Sequence, residues 1–139
     1  MPSSPRSFLL VAGAVSAVLL GLTGCSGSTQ PKAAACTIVL ASMDAATSHL
    51  NAGLSTMSTD PAGAAKSLKL GEKTLLSGMK SVSNSEVKPA GDRAAKSVST
   101  LTRLVTAALA KPASVSTSKL SAASSAVSED FAGVRKLCE

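Results

Sequence analysis

Apolar and small side chains recur at alternating spacings of three and four residues over most of the chain after residue 32. This spacing aligns them along one face of an α-helix, whereas a half-buried strand requires a period of two. The period of two is not found in any segment. The pattern therefore predicts an all-α fold with helices at about 33–57, 62–82, from a start between 85 and 90 to 110, and 113–137.

Residues that end or begin helices separate these segments. Asp60 is a typical N-cap, and Pro61 suits the first helical position after it. Residues 83–85, Ser-Asn-Ser, interrupt the second pattern, and Lys111-Pro112 ends the third. Four helices of roughly 20–25 residues joined by short loops favour an up-down-up-down four-helix bundle.

The predicted core is made of small and aliphatic side chains. The chain has two Phe and no Tyr or Trp, so each core residue buries little area and, at about 25 cal/mol per Å², stabilises the fold modestly. The predicted inward positions are Cys36, Val39, Met43, Ala46, Leu50, Leu54 and Met57 in the first helix, Ala64, Leu68, Gly71, Leu75, Met79 and Val82 in the second, Ala94, Val98, Leu101, Val105 and Ala108 in the third, and Leu120, Ala123, Val127, Phe131, Val134 and Cys138 in the fourth.

The N-terminal segment has a different pattern. Residues 1–7 carry one charge, Arg6, and residues 8–22 are apolar except for Ser16. A basic start, an apolar run and small residues after it are the layout of a secretory signal. The apolar run is shorter than the roughly 20 residues of a membrane-spanning helix.

This segment ends in Leu22-Thr23-Gly24-Cys25, which resembles the lipobox of bacterial lipoproteins. The resemblance implies that residues 1–24 are cleaved and that the Cys25 thiol carries a diacylglyceryl group. Two or three acyl chains would then hold the protein on the extracytoplasmic face of the cell membrane, since each buried methylene contributes about 0.8 kcal/mol. The alternative is an uncleaved N-terminal anchor in which Cys25 is incidental.

These observations predict three parts: a signal peptide over 1–24, a polar lipidated tether over 25–32 and a helical bundle over 33–139. Of the 14 Lys and Arg residues only Arg6 lies in the signal, so 13 remain against 8 acidic residues. This moderate excess suits anionic partners such as phospholipid headgroups or wall polymers. It is too small and too dispersed to indicate nucleic acid binding.

With Cys25 acylated, two cysteines remain, Cys36 and Cys138. An even pair in an exported, oxidising setting predicts a disulfide, and two free buried thiols are the alternative. In an up-down-up-down bundle the start of the first helix and the end of the fourth lie together, so the fold and the disulfide agree. Closing a loop of roughly 100 residues raises the free energy of unfolding by up to about 4.7 kcal/mol.

The bonded end of the bundle should face the membrane, because Cys36 follows Cys25 by only 11 residues. The loop at 83–85 should lie at this same end. The loops at 58–60 and 110–112 should lie at the opposite end.

Helical spacing places basic residues on one stripe of the second helix and on one stripe of the third. If these helices are neighbours, their stripes form a basic surface for headgroups or wall polymers. The alternative is the solvated outer face that every bundle helix needs. The residues are Lys66, Lys69, Lys73 and Lys80 in the second helix and Lys96 and Arg103 in the third.

No catalytic motif, metal site or cofactor site is predicted. His49 is the only histidine and has no second histidine or cysteine near it in sequence, whereas a metal site or catalytic dyad needs partners. The acidic residues form no distinct pair, and the serines lack a nucleophile-elbow context. Methionines at helical spacing, Met43, Met57 and Met79, are core filler.

The favoured function is therefore a lipid-anchored envelope interaction or structural module, with an unknown envelope protein or an anionic wall polymer as its partner. The alternative is a small-ligand binding protein with a pocket between the helices. Four small residues would leave room for such a pocket: Ala46, Gly71, Ala94 and Ala123.

Overall fold

The computed structural model describes residues 30–139, which form four α-helices and no strand. The prediction of an all-α four-helix bundle is confirmed. The predicted signal peptide and Cys25 lie outside the described residues. The elements are α1 (Lys32–Thr56), α2 (Pro61–Met79), α3 (Val87–Ala110), a short 3-10 turn (Pro112–Ser114) and α4 (Thr117–Cys138).

Side-chain caps set the starts of α2 and α3. The Asp60 carboxylate accepts a hydrogen bond from the Gly63 amide at 2.9 Å, as an N-cap does. The Asn84 side-chain oxygen accepts hydrogen bonds from the amides of Glu86 and Val87, both at 3.0 Å. Pro89 is tolerated in α3 because the amides of a helix's first turn have no partner within the helix.

The start of α4 differs from the prediction. We expected the helix from about residue 113, but it begins at Thr117. The Ser114 hydroxyl donates to the Lys111 carbonyl oxygen at 2.6 Å, and Val115 is extended. A serine side chain that bonds the nearby backbone competes with helix formation, so residues 112–116 form a connection instead.

The helices pack as α1 against α2, α2 against α3 and α3 against α4, while α1 and α4 touch over a smaller area. Every predicted inward position of the second segment is buried. In α4 only Ala123 and Val134 are buried, and Leu120, Val127 and Phe131 are half-buried. Consequently α4 is the helix least secured by the core.

Leu54, predicted to face inward, is 40% exposed. The buried line along α1 instead runs through Val39, Ala46 and Gly53, which are seven residues apart. Seven residues fall about 20° short of two full turns of an ideal α-helix, so a line of buried residues with this period winds slowly around the helix. At the end of α1 it therefore reaches Gly53, which contacts Leu68, and leaves Leu54 outside.

Two glycines of α2 allow α1 and α2 to approach closely. A Cβ atom on Gly71 would lie 3.0 Å from the Ala46 carbonyl oxygen and 3.2 Å from the His49 Cβ. A Cβ atom on Gly78 would overlap the side chain of Ser42. Both positions therefore require the absence of a side chain.

The disulfide joins the start of α1 to the end of α4. Cys36 and Cys138 are bonded, with their Cα atoms 5.5 Å apart and a sequence separation of 102. The predicted pairing is confirmed. A nearby ion pair, Arg135 to Asp44 at 3.2 Å, also links α4 to α1.

The turn between α2 and α3 lies at the same end, as predicted, because Gln30 is bonded to it. The Gln30 side chain donates to the Ser81 carbonyl oxygen at 3.1 Å and accepts from the Ser83 amide at 2.8 Å. The Asn84 side chain donates to the Gln30 carbonyl oxygen at 2.8 Å. The chain is thus held in place from Gln30, and Lys32, expected in the tether, is the first residue of α1.

By length and composition alone, α1 is apolar enough to cross a membrane. Its apolar line is packed inside the bundle, however, with Val39, Met43 and Ala46 fully buried. Of the most apolar 18-residue window of α1, 33% is buried inside the bundle.

Candidate functional site

The structure brings three of the predicted basic residues together between α2 and α3. Lys69 of α2 and Lys96 and Arg103 of α3 line one open depression of about 370 Å³, with Glu72 beside them. Hydroxyl groups complete its lining, from Ser99, Thr100, Thr102 and Thr106. We call it the polar depression.

A second depression, of about 630 Å³, continues toward the disulfide end of the bundle. Its exposed lining is mostly apolar, since Leu76 and Met79 contribute to it and lysine side chains line it with their aliphatic stems. We call it the apolar depression. Its charged residues are Lys69, Lys73, Lys80 and Lys88, with Glu72 and Asp92.

The two depressions are adjacent along the line between α2 and α3, with Lys69 and Glu72 in both linings, and together we call them the basic groove. Of the predicted basic surface, only Lys66 lines neither depression. Lys88 was not predicted, because its position in the first turn of α3 does not continue the stripe of Lys96 and Arg103.

The basic groove holds nearly all of the excess positive charge of residues 30–139. It is lined by six cationic side chains and two carboxylates. The other described residues include seven cationic and six acidic side chains, which almost balance. The excess positive charge, expected from the sequence to be dispersed, is therefore concentrated on this one surface.

Most of the groove's cations form no ion pair with a described residue. Three ion pairs occur among residues 30–139, and only one of them, Lys88 to Asp92 at 3.0 Å, involves a groove cation. The other five groove cations are exposed and form no ion pair in this part of the chain. Residues 1–29 contain no Asp or Glu.

Thr102 lies at the floor of the polar depression and is only 2% exposed. Its hydroxyl has no hydrogen-bond partner within residues 30–139. A buried hydroxyl without a partner lowers the free energy of unfolding by about 1–3 kcal/mol, so the Thr102 hydroxyl reduces the stability of the fold. Sequence reasoning did not single out Thr102, since the third helix carries several similar hydroxyls.

Of the other candidate residues, only Met79 reaches the basic groove, in the lining of the apolar depression. His49 is half-buried and packs beside Gly71 in the contact between α1 and α2. Within the described residues, no three His, Cys, Asp or Glu side chains are grouped as a metal site would need. Met43 and Met79 are buried in the core, and Met57 packs against it.

The four small residues predicted to leave room for an inner pocket lie in different parts of the bundle. Ala46 and Gly71 bring α1 and α2 into contact, and Ala94 is fully buried. Ala123 lines an open depression of about 350 Å³ between α3 and α4.

Comparison of the chain with protein-family models, with curated proteins and with solved structures finds no match. The function is therefore inferred from the chemistry of the basic groove itself.

Proposed function

We propose that this chain is a lipid-anchored interaction module on the extracytoplasmic face of a bacterial membrane, and that its basic groove binds an anionic component of the envelope. The observation that supports this function is the concentration of unpaired cations in one open groove. The protein acts by binding and not by catalysis.

The shape of the groove supports an extended anionic partner. Its cations lie on two antiparallel helices, with Lys80 in one depression and Arg103 in the other. Charges spread along a shallow groove meet several anionic groups of a polymer or a surface at once, and each contact is weakened by salt. Binding should therefore weaken as the ionic strength rises.

The groove is tested with the mature chain and a labelled long-chain inorganic polyphosphate. Replacing Lys69, Lys96 and Arg103 together by Gln should weaken binding more than about tenfold, since each surface cation contributes on the order of 1 kcal/mol to binding an anionic surface. The control replaces Lys111, Lys119 and Lys136 by Gln, which removes the same charge outside the groove. Equal losses in the two variants would show that the site is not the groove.

The anchor is tested separately at Cys25. Cys25→Ala should abolish acyl labelling in the native host and leave the precursor uncut, because the thiol that accepts the diacylglyceryl group is gone. Cys36→Ala is the control and should be acylated and cleaved normally. Normal processing of Cys25→Ala would contradict the lipoprotein assignment.

A further inference from the structure

We infer that the anionic component bound by the basic groove is the acidic phospholipid of the leaflet that carries the anchor, so that the α2 side of the bundle docks on the membrane surface. This inference rests on the proposed function and names its partner. It depends on three features: exposed leucines on α2, the apolar depression and the position of Gln30.

Exposed leucines accompany the lysines of α2. Leu70 is 46% exposed and Leu76 is 42% exposed, and within residues 30–139 the only other large apolar side chain so exposed is Leu54 of α1. Leu70 precedes Lys73 by three residues and Leu76 follows it by three, so both leucines are neighbours of Lys73 on the helix surface. Lysines beside exposed leucines are typical of a helix that lies in a membrane interface.

The apolar depression favours a lipid over a soluble polyanion. Leu76 and Met79 lie in its lining, while Lys80 and Lys88 carry positive charge there. A phospholipid presents both matching parts, a phosphate for the lysines and a glycerol with the upper acyl chains for the apolar lining. A wall polymer presents charge and hydroxyl groups only, and would leave this apolar surface uncovered.

The position of Gln30 brings the groove to the membrane. Cys25 precedes Gln30 by five residues, which span at most about 17 Å when extended. Gln30 is hydrogen-bonded to the Ser81 carbonyl oxygen, and Ser81 directly follows Lys80 of the groove. An acyl group on Cys25 would therefore hold the apolar depression within reach of the headgroups.

The two contacts reinforce each other. The acyl chains keep the bundle at the surface, and the lysines of α2 then meet anionic headgroups at a high local concentration. Each lysine near an anionic leaflet should strengthen binding about fivefold. The leucines add apolar contact that salt does not screen.

The test uses the mature chain with Cys25→Ser, which carries no acyl group, and measures co-sedimentation with vesicles. We expect binding to vesicles that contain phosphatidylglycerol and none to vesicles of phosphatidylcholine alone. Replacing Leu70 and Leu76 by Ser should weaken the vesicle binding about tenfold. Leu70 lines neither depression, so Leu70→Ser alone should weaken vesicle binding and leave polyphosphate binding unchanged. Leu54→Ser, at the third exposed leucine, is the matched control and should bind like the parent chain, and circular dichroism checks that each variant is folded.

The outcomes distinguish this inference from the proposed function. Binding to polyphosphate without binding to phosphatidylglycerol vesicles would overturn the inference and leave an anionic polymer as the partner. Unchanged vesicle binding after loss of Leu70 and Leu76 would also overturn it, because the contact would then involve charge alone. Failure to bind either probe would overturn the proposed binding function as well.

Discussion

Reduction of the disulfide between Cys36 and Cys138 is expected to lower the free energy of unfolding by about 4 kcal/mol. The bond joins two cysteines with a sequence separation of 102, and opening it returns a large conformational entropy to the unfolded chain. The effect should be near the upper end for disulfides, because the closed loop spans nearly the whole described domain. The free energy of unfolding of a small domain is about 5–15 kcal/mol in total, so the reduced protein should be marginally stable.

The measurement is urea unfolding of the mature chain with Cys25→Ser, with and without reductant, monitored by circular dichroism. Here Cys36 and Cys138 are the only thiols. A further variant with both replaced by Ala should match the reduced protein and should not respond to reductant. A transition midpoint that is the same with and without reductant would show that packing alone secures α4.

Substitution of Gly78 by Ala should destabilise the bundle by about 2 to 3 kcal/mol. Alanine is a better helix former than glycine by up to about 1 kcal/mol, so propensity alone predicts the opposite sign. The added methyl group would overlap the Ser42 side chain, and its Cβ would lie 2.6 Å from the Ser42 Cβ. Rotation of the serine hydroxyl cannot relieve a clash with that Cβ, so α1 and α2 must move apart.

The matched control is Gly133→Ala in α4. No atom of a neighbouring group lies within 4 Å of the Cβ it would add, so this change should stabilise the protein by about 0.5–1 kcal/mol. Combining Gly78→Ala with Ser42→Gly tests the cause directly, since Gly78→Ala should destabilise the protein much less when the Ser42 side chain is absent. Equal stabilisation by Gly78→Ala and Gly133→Ala would mean that the two helices are not in close contact.

The helices themselves were predictable because their signals are local. Apolar positions three and four residues apart predicted four helices, and Asp60-Pro61 marked the start of α2 correctly. The start of α4 was misplaced, since the bond from the Ser114 hydroxyl to the Lys111 carbonyl oxygen has no periodic signal. The exposure of Leu54 was missed because the side of α1 that faces α2 is set by packing along its whole length.

The candidate site was predicted in part. Six basic residues on two stripes were expected to form a surface, and five of them line the basic groove. Lys66 lies outside the groove and Lys88 lies inside it, because the groove follows the line where α2 and α3 meet and not either stripe alone. The apolar depression beside Leu76 was not foreseen, since an exposed leucine looks the same in sequence as a buried one.

The sequence by itself determined the number of helices, the pairing of Cys36 with Cys138 and the end of the bundle where that pair lies. The number of helices follows from the periodicity of apolar positions along the chain. The location of the pair follows because, in four helices of alternating direction, the start of the first and the end of the fourth lie at the same end. Only the tertiary structure decided which lysines share a groove and that Gln30 holds the turn between α2 and α3. Those features depend on the rotation and relative shift of packed helices, which are set by contacts between residues far apart in the chain, such as Gly78 with Ser42.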